Sequence, residues 1–509
     1  MKGPNVVFVF VDDLGYGDVS CLNKESKVQT KNIDALAKGG TIFTDGHTCS
    51  SLCTPSRYGL LTGRYAWRGN LKWSVLPASA PPLIEKERKT FGHIFKEAGY
   101  QTAVVGKWHL GLEWEVKGDY KQPKSIPELS GYDIHDKLDF EKPLKFGPKD
   151  HGFDYSFIMP ASLDQPPLVY IENHKVVSSK PDRIVGTPGF IPVAKGATKP
   201  VKDSAYGLAS AECGPIDAVP TMHNKVLSLI DQYAKGDKPF FIYSPTPAVH
   251  GPLAPTKEFE GKSGIGPYGD MILMVDDFVG KIEQKLKDNG IADNTMIVFT
   301  SDNGCAPIVD MPMLIEKYGH NSSGIFRGCK FDIWEGGHRV PLIVKWPSAV
   351  KAGAQEATTV CLTDFFATFA EMTGIKYGDD AGEDSYSMLS LFKGAGKYNR
   401  ADIIHHSGAG MFSIRKGNWK LEFCSGSGGL EYFGTGRKDG MNDVQLYDLS
   451  KDISEKENVY DKHPEVIAEF RALLLKYLMD GRSTPGAPQK NASPAGGVWP
   501  GLQWLNAGY

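Results

Sequence analysis

The chain has 509 residues, 41% of them apolar and 23% charged, which supplies material for a sizeable core and argues against wholesale disorder. Its 57 basic and 60 acidic residues sum to a formal charge of −3 with no basic run, so no nucleic-acid partner is expected. No apolar stretch approaches the roughly 18 residues of a membrane helix, so no membrane span is expected either.

The N-terminus, Met-Lys-Gly-Pro, enters a strand at 5–11 without a signal peptide, which fits a cytoplasmic chain or a mature form restarted with Met. Further strands are expected at 102–107, 240–244, 295–301 and 340–346, alternating with helices at 32–38, 56–62, 90–98, 217–234 and 268–289. That alternation implies an α/β fold with a large doubly wound mixed sheet flanked by helices. The stretch 113–205 is rich in Lys, Asp and Pro with few periodic elements, and reads as functional loops or a lid. From about 352 the texture changes: a helix at 363–373, alternating runs at 411–416, 419–423 and 445–449, and an amphipathic helix at 463–479. These predict a smaller C-terminal antiparallel-sheet subdomain covered by one helix. The expected units are therefore 1–350, 351–482 and an extended tail, 483–509, carrying Trp499, Trp504 and Tyr509 and packed on the body. Eight scattered cysteines with no C-x-x-C pair exclude a disulfide framework and a thiolate zinc site.

Chemistry concentrates at strand ends. The apolar run Val6–Val11 stops at Asp12-Asp13, and the run from Thr295 to Thr300 stops at Ser301-Asp302-Asn303-Gly304. Carboxylates at the carboxyl edge of an open α/β sheet sit where ligands bind, and adjacent acids repel unless a cation neutralises them. An oxygen-only set favours Ca2+ or Mg2+ over zinc or copper; the bland alternative is a pair of ordinary Asx-Gly turns. In Cys53-Thr-Pro55-Ser-Arg57, Pro55 suits a first helical turn and Gly63 a helix stop, so Cys53 is expected just before a helix N-terminus. A lone cysteine is more often inert, but the helix field and Arg57 one turn on point to a nucleophile. Lys107, His109, His250 and Lys330 follow strand ends as well. Singly each is weak; together, two lysines and two imidazoles beside a metal suit an anionic oxyester and a proton on its leaving oxygen.

These segments resemble the type I sulfatases of the alkaline phosphatase superfamily, whose signature cysteine or serine is oxidised to formylglycine. Cys53-Thr-Pro-Ser-Arg57 with Leu61-Thr62-Gly63-Arg64 is similar to the signature, and the other strand-end motifs follow in family order. So do Asp150–Asp154 and, in the C-terminal part, Leu446-Tyr447-Asp448-Leu449 with Glu457-Asn458. The resemblance spans about 4–479, with the insert and the tail matching loosely. It implies that Cys53 becomes formylglycine, present as its hydrate, and that Asp12, Asp13, Asp302 and Asn303 ligate Ca2+ together with the oxygen at residue 53. It implies that Arg57 and His109 orient and deprotonate the hydrate and that Lys107 and Lys330 clamp the sulfate. His250, with Lys330, would protonate the departing alcohol, and His109 would then help regenerate the aldehyde. A formylglycine-generating maturation enzyme and a periplasmic or secreted location follow from the same resemblance.

Substrate signals are thinner. Arg68, His174 and Asp332 are candidates for binding sugar hydroxyls, each with a solvated loop residue or structural salt bridge as the bland reading. Trp67, Trp108 and Trp334 are candidates to pack on a sugar face. The segment from Ala161 to Tyr170 resembles sulfatases of sulfated carbohydrates, which implies a sulfated hexose or hexosamine of a host or algal glycan. His405-His406 reads as structural rather than as a second metal site. The rivals are a phosphodiesterase or phosphonate monoester hydrolase of the same superfamily, and a silent sulfoglycan-binding protein.

Overall fold

In the strand Asn5–Val11 every residue from Val6 onward is buried, so its successive side chains feed two cores on opposite faces of one sheet. Val6, Phe8 and Phe10 face one core; Val7, Val9 and Val11 face the other. Burying one such phenylalanine is worth about 2–3 kcal/mol, and Phe8 also meets Phe365 edge-on at 4.9 Å. The strand is central because it pairs in parallel with both Phe240–Pro245 and Thr295–Ser301. The computed structural model describes all residues except 1–2, 120–136, 182, 191–199, 308–310, 395–397, 430–443, 493–498, 500, 501 and 503–509.

Among the described residues the main sheet has ten strands, in the order Ala354–Glu356, Thr41–Phe43, Leu342–Lys345, Thr295–Ser301, Asn5–Val11, Phe240–Pro245, Gln101–Lys107, Tyr155–Met159, Ile171–Glu172, Lys175–Val176. The central strands are parallel and Leu342–Lys345 runs antiparallel to Thr295–Ser301, so the sheet is mixed, as expected. Helices Cys53–Thr62, Phe91–Glu97 and Phe365–Thr373 cover one face. Lys31–Lys38, Pro215–Tyr233 and Pro267–Asp288 cover the other. Among the described residues no helix is long and apolar enough to cross a membrane.

Three regions carry elements that the sequence pattern did not mark out. The stretch 113–205, where few periodic elements were expected, holds Tyr155–Met159, which extends the main sheet beside Gln101–Lys107, and Arg183–Phe190, which pairs with Pro200–Ala209 as a hairpin. Beyond 350, Ala354–Glu356 pairs with Thr41–Phe43, and Phe365, Phe366 and Phe369 belong to the main core. The small antiparallel sheet has four strands, and its first, Asp402–His406, lies before the runs read from the sequence. Helix Pro464–Asp480 covers that sheet through Ile467, Phe470 and Leu474.

Buried ion pairs join the small sheet to the large unit. Lys420 reaches Glu455 at 2.7 Å and Glu335 at 3.3 Å, and Arg415 reaches Asp45 at 2.8 Å. Removing one member of such a set leaves an uncompensated buried charge, which is strongly destabilising. Described parts of the tail pack on the body: the Ala492 amide donates to the Arg68 carbonyl, and Leu502 is fully buried. The expectations for Trp504 and Tyr509 fall outside the described residues.

Candidate active site

The carboxyl ends of the central strands bring Asp12, Asp13, Lys107, Asp302 and Asn303 to one sheet edge, and all five are buried. Backbone bonds lock the strand ends together: the Asp302 amide donates to the Val11 carbonyl and the Asp12 amide to the Ala248 carbonyl. The Val249 amide donates back to the Asp12 carbonyl at 2.7 Å, which carries the His250 loop to the same place. Lys107 follows Gly106, where a Cβ would lie 1.9 Å from the Pro245 carbonyl oxygen at φ +142°; only glycine lets the strand end pass so close.

Cations and anions alternate in this bed. Lys107 Nζ lies 2.6 Å from Asp12 Oδ2, and Lys330 Nζ lies 2.9 Å from Asp13 Oδ2. Arg57 donates through Nε and Nη2 to Asp302 Oδ2, at 3.2 and 2.7 Å, and through Nη1 to the Lys107 carbonyl. Burial pushes the Asp12 carboxyl up, but Lys107, His250 and Arg57 outweigh it and hold the group well below the usual carboxylate range. Burial and the neighbouring Asp12 charge push Asp302 up. Two such carboxylates call for a cation between them. The donor set fits one. Asp12 Oδ1 and Asn303 Oδ1 are buried with no hydrogen-bond partner among the described residues, and both are oxygens, which suits Ca2+ or Mg2+.

The ligand atoms of Cys53, Asp12 and Asp302 all lie within 4.8 Å of one another. Cys53 is the first residue of helix Cys53–Thr62 rather than the residue before it, because Leu52, with φ −138° and ψ 151°, is the extended cap. The helix ends at Gly63 in the left-handed conformation, as its glycine implied. Burial pushes the Cys53 thiol up despite Lys107 and Lys330, so the unmodified side chain is a poor thiolate nucleophile.

Two imidazoles flank this position. His109 Nε2 donates to the Leu76 carbonyl at 2.8 Å, which leaves Nδ1 as a lone-pair acceptor, buried without a partner among the described residues. Burial, then the Lys107 and Arg57 charges, hold His109 well below its ordinary value, so it is a neutral base. His250 Nδ1 donates to the Gly251 carbonyl at 2.7 Å, and its Nε2 lies 3.6 Å from Asp13 Oδ2. On its outer side Asp164 approaches Nδ1 to 3.9 Å. The supporting Leu76 carbonyl, and Thr54, whose hydroxyl donates to the His109 carbonyl, carried no sequence signal, since backbone acceptors have none.

The expected sugar contacts fare differently. Arg68 is fully buried and forks onto Asp384 at 2.7 and 2.8 Å while donating to the Tyr477 carbonyl, so it clamps the body to the C-terminal helix. His174 pairs with Asp150 at 2.9 Å. The adjacent Asn173 amide donates to Ser156 near the amino end of Tyr155–Met159, the edge of the sheet opposite the bed. Asp332 is half-buried near Lys330, with Oδ2 accepting from the Cys329 amide. Trp67 and Trp108 are core residues, and Trp334 packs under the Arg327 guanidinium at 3.6 Å. His405 and His406 are buried, as a structural reading required.

A second cluster, His47, His338 and His405, also gathers three imidazoles. His47 Nε2 lies 2.8 Å from Asp45 and its Nδ1 3.0 Å from His338 Nδ1, while His338 Nε2 lies 3.0 Å from the Ile333 carbonyl and 3.1 Å from the Lys420 ammonium. His338 and His405 stack at 3.7 Å and 15°, so no ion can lie in both ring planes. The stack is structural.

Residues 4–375 match the family described as Sulfatase, and residues 329–480 match N-sulphoglucosamine sulphohydrolase, C-terminal. An N-acetylgalactosamine-6-O-sulfatase of Bacteroides thetaiotaomicron is 35% identical, covering 92% of each chain. Arylsulfatase A of Homo sapiens is 30% identical over 96% of this chain and 90% of its own. A solved structure titled for the metabolism of multiple glycosaminoglycans by Bacteroides thetaiotaomicron superposes with a TM-score of 0.79 at 34% identity, covering 94% of this chain and 99% of the other.

Proposed function

The chain belongs to the sulfatase family and hydrolyses sulfate esters, and from that premise we propose that it removes sulfate from a sulfated hexosamine, with N-acetylgalactosamine 6-sulfate the first candidate. The 35% identical Bacteroides relative carries that activity in its name, and the resemblance of the segment from Ala161 to Tyr170 points to the same substrate class. The observation that carries the reading is the bed itself: two lysines and an arginine converge on a buried carboxylate–amide set around residue 53.

In this reading Lys107 and Lys330 hold the ester's sulfate oxygens, where negative charge is already present and redistributes as the S–O bond breaks. Arg57, fixed by Asp302 and the Lys107 carbonyl, orients residue 53. Asp12, Asp13, Asp302 and Asn303 hold Ca2+, which when bound supplies positive charge beside the nucleophile and the sulfate. Cys53 as formylglycine hydrate supplies the attacking hydroxyl. His109 takes that hydroxyl's proton at Nδ1, the nitrogen its bond to Leu76 leaves with a lone pair and no partner among the described residues. His250, with Nδ1 tied to Gly251, presents Nε2 to the leaving oxygen, and Lys330 stands on the same side through Asp13. A host or algal glycan source, a formylglycine-generating enzyme acting before use, and a periplasmic or secreted location belong to the same proposal. Sulfate release from the 3-, 4- and 6-sulfates of N-acetylgalactosamine tests it. The 6-sulfate should be fastest; equal rates, or turnover of aryl sulfates with none of the sugars, would refute the substrate assignment.

A further inference from the structure

We propose that Asp164 binds the sugar of the substrate, accepting a hydrogen bond from the free hydroxyl nearest the sulfated arm, an assignment that rests on the sulfated-hexosamine reading above. The two lysines of the bed would hold any sulfate ester alike. Discrimination needs a group that meets the sugar just past the leaving oxygen, where His250 stands. Asp164 is on that spot: its Oδ1 is buried 3.9 Å from His250 Nδ1.

The sheet carries it there. Tyr155–Met159 runs parallel to Gln101–Lys107 with Met159 opposite Lys107, so the segment after Met159 leaves the sheet at the same carboxyl edge as the bed. The His109 amide donates to the Pro160 carbonyl at 2.9 Å, which ties that segment to the base on one flank. Ala161 and Leu163 are buried, and the Gln165 amide closes a turn on the Ser162 carbonyl with Asp164 inside it. Exposure then rises outward from the bed: the side chain is 1% exposed at Asp13, 14% at His250 and 43% at Asp164. His250 turns Nε2 inward, 3.6 Å from Asp13, and Nδ1 outward to Asp164. A sugar whose sulfate fills the bed therefore leads out past His250 to this carboxylate.

Asp164 is not the anchor of His250. That ring is fixed by its bond from Nδ1 to the Gly251 carbonyl at 2.7 Å, and 3.9 Å is too long for a hydrogen bond. An ionised carboxylate only accepts, and its two oxygens offer about four acceptor sites, so a bond elsewhere does not close it to a hydroxyl. The same charge repels a second sulfate on the neighbouring carbon. Ser162 Oγ and Gln165 Oε1, in the same turn, are buried with no hydrogen-bond partner among the described residues, a polar complement that a bound sugar can satisfy.

The test uses full-length Cys53→Ala protein in Ca2+ buffer, titrated calorimetrically with N-acetylgalactosamine 6-sulfate, its 4-deoxy analogue, the 4,6-disulfate and inorganic sulfate. Asp164→Ala should weaken 6-sulfate binding about tenfold, leave the 4-deoxy analogue as it was, and weaken inorganic sulfate not at all. Asp164→Asn should keep part of the 6-sulfate affinity and bind the 4,6-disulfate more tightly, because the repelling charge is gone. Unchanged 6-sulfate affinity overturns the proposal, as does an equal loss with the 4-deoxy analogue; a parallel loss of inorganic sulfate, which would mark Asp164 as structural, overturns it too. Failure of the protein with Asp164 intact to bind the 6-sulfate overturns both readings. Saccharide binding that depends on Asp164, without sulfate release by the matured Cys53 protein, sinks the functional reading alone.

Discussion

Arg68→Ala separates a structural clamp from a substrate contact. The guanidinium is fully buried, makes two bonds to Asp384, and stacks over Trp67 at 4.3 Å. Removing it strands the Asp384 carboxylate, which is also fully buried, and breaking a buried pair this way costs about 3–5 kcal/mol. Asp384 still accepts from the Tyr65 and Ser483 amides, which argues for the lower end, about 3 kcal/mol, with about 1 more from the lost cation–π contact. For a chain of this size that is a fall in Tm of roughly 4 °C. Arg68→Lys keeps the charge but loses the fork, and should cost less. Burial raises the Asp384 pKa but Arg68 wins and depresses it, so the pair's contribution is present above the unfolded value and lost as pH falls through the folded one. The gap between variant and unmutated protein should therefore narrow below about pH 4. Thermal melts across pH, with KM for a sulfated saccharide measured alongside, check this. A rise in KM with Tm unchanged would refute the clamp and restore Arg68 to the substrate.

Other outcomes follow from the same geometry. Lys330→Ala should lower the rate by about 10²–10³, the cost of one preorganised charge-stabilising donor; steady-state kinetics showing less than a tenfold loss would contradict its role. Burial holds the His47, His338 and His405 rings below their ordinary value. The unfolded chain therefore binds more protons than the folded one below about pH 6.5, and stability should fall as pH drops from there. His405→Phe should flatten that fall in Tm, and an unchanged slope would count against the neutral stack. Chelation with EGTA should abolish sulfate release and lower Tm, with Ca2+ restoring both better than Mg2+; full activity in chelator would remove the metal from the account.

Much of the architecture was legible because it is written in unbroken apolar runs. Val6–Val11 and the run from Thr295 to Thr300 could only be buried strands, and the acids after them had to share one sheet edge. Asp402–His406 escaped notice because Asp, His and His do not read as a core strand. It is buried because Tyr477 bonds Asp402 and His405 stacks on His338. Tyr155–Met159 was hidden inside a Lys-, Asp- and Pro-rich stretch, where composition overrode a five-residue pattern. Arg68 beside Trp67 looks like a sugar contact until its partner is known, and Asp384 lies 316 residues away. His174 is close in sequence to the Ala161–Tyr170 segment, yet an antiparallel turn returns it to the far edge of the sheet.

The central claim is sulfate-ester hydrolysis through an oxidised residue 53. The most direct measurement is inorganic sulfate release from a sulfated saccharide panel by protein co-expressed with a formylglycine-generating enzyme, beside a Cys53→Ala control. Release from the N-acetylgalactosamine 6-sulfate and its absence in the control is the predicted result. No release from any saccharide, with mass spectrometry showing the aldehyde at residue 53 and phosphodiesters or phosphonates consumed instead, would contradict it.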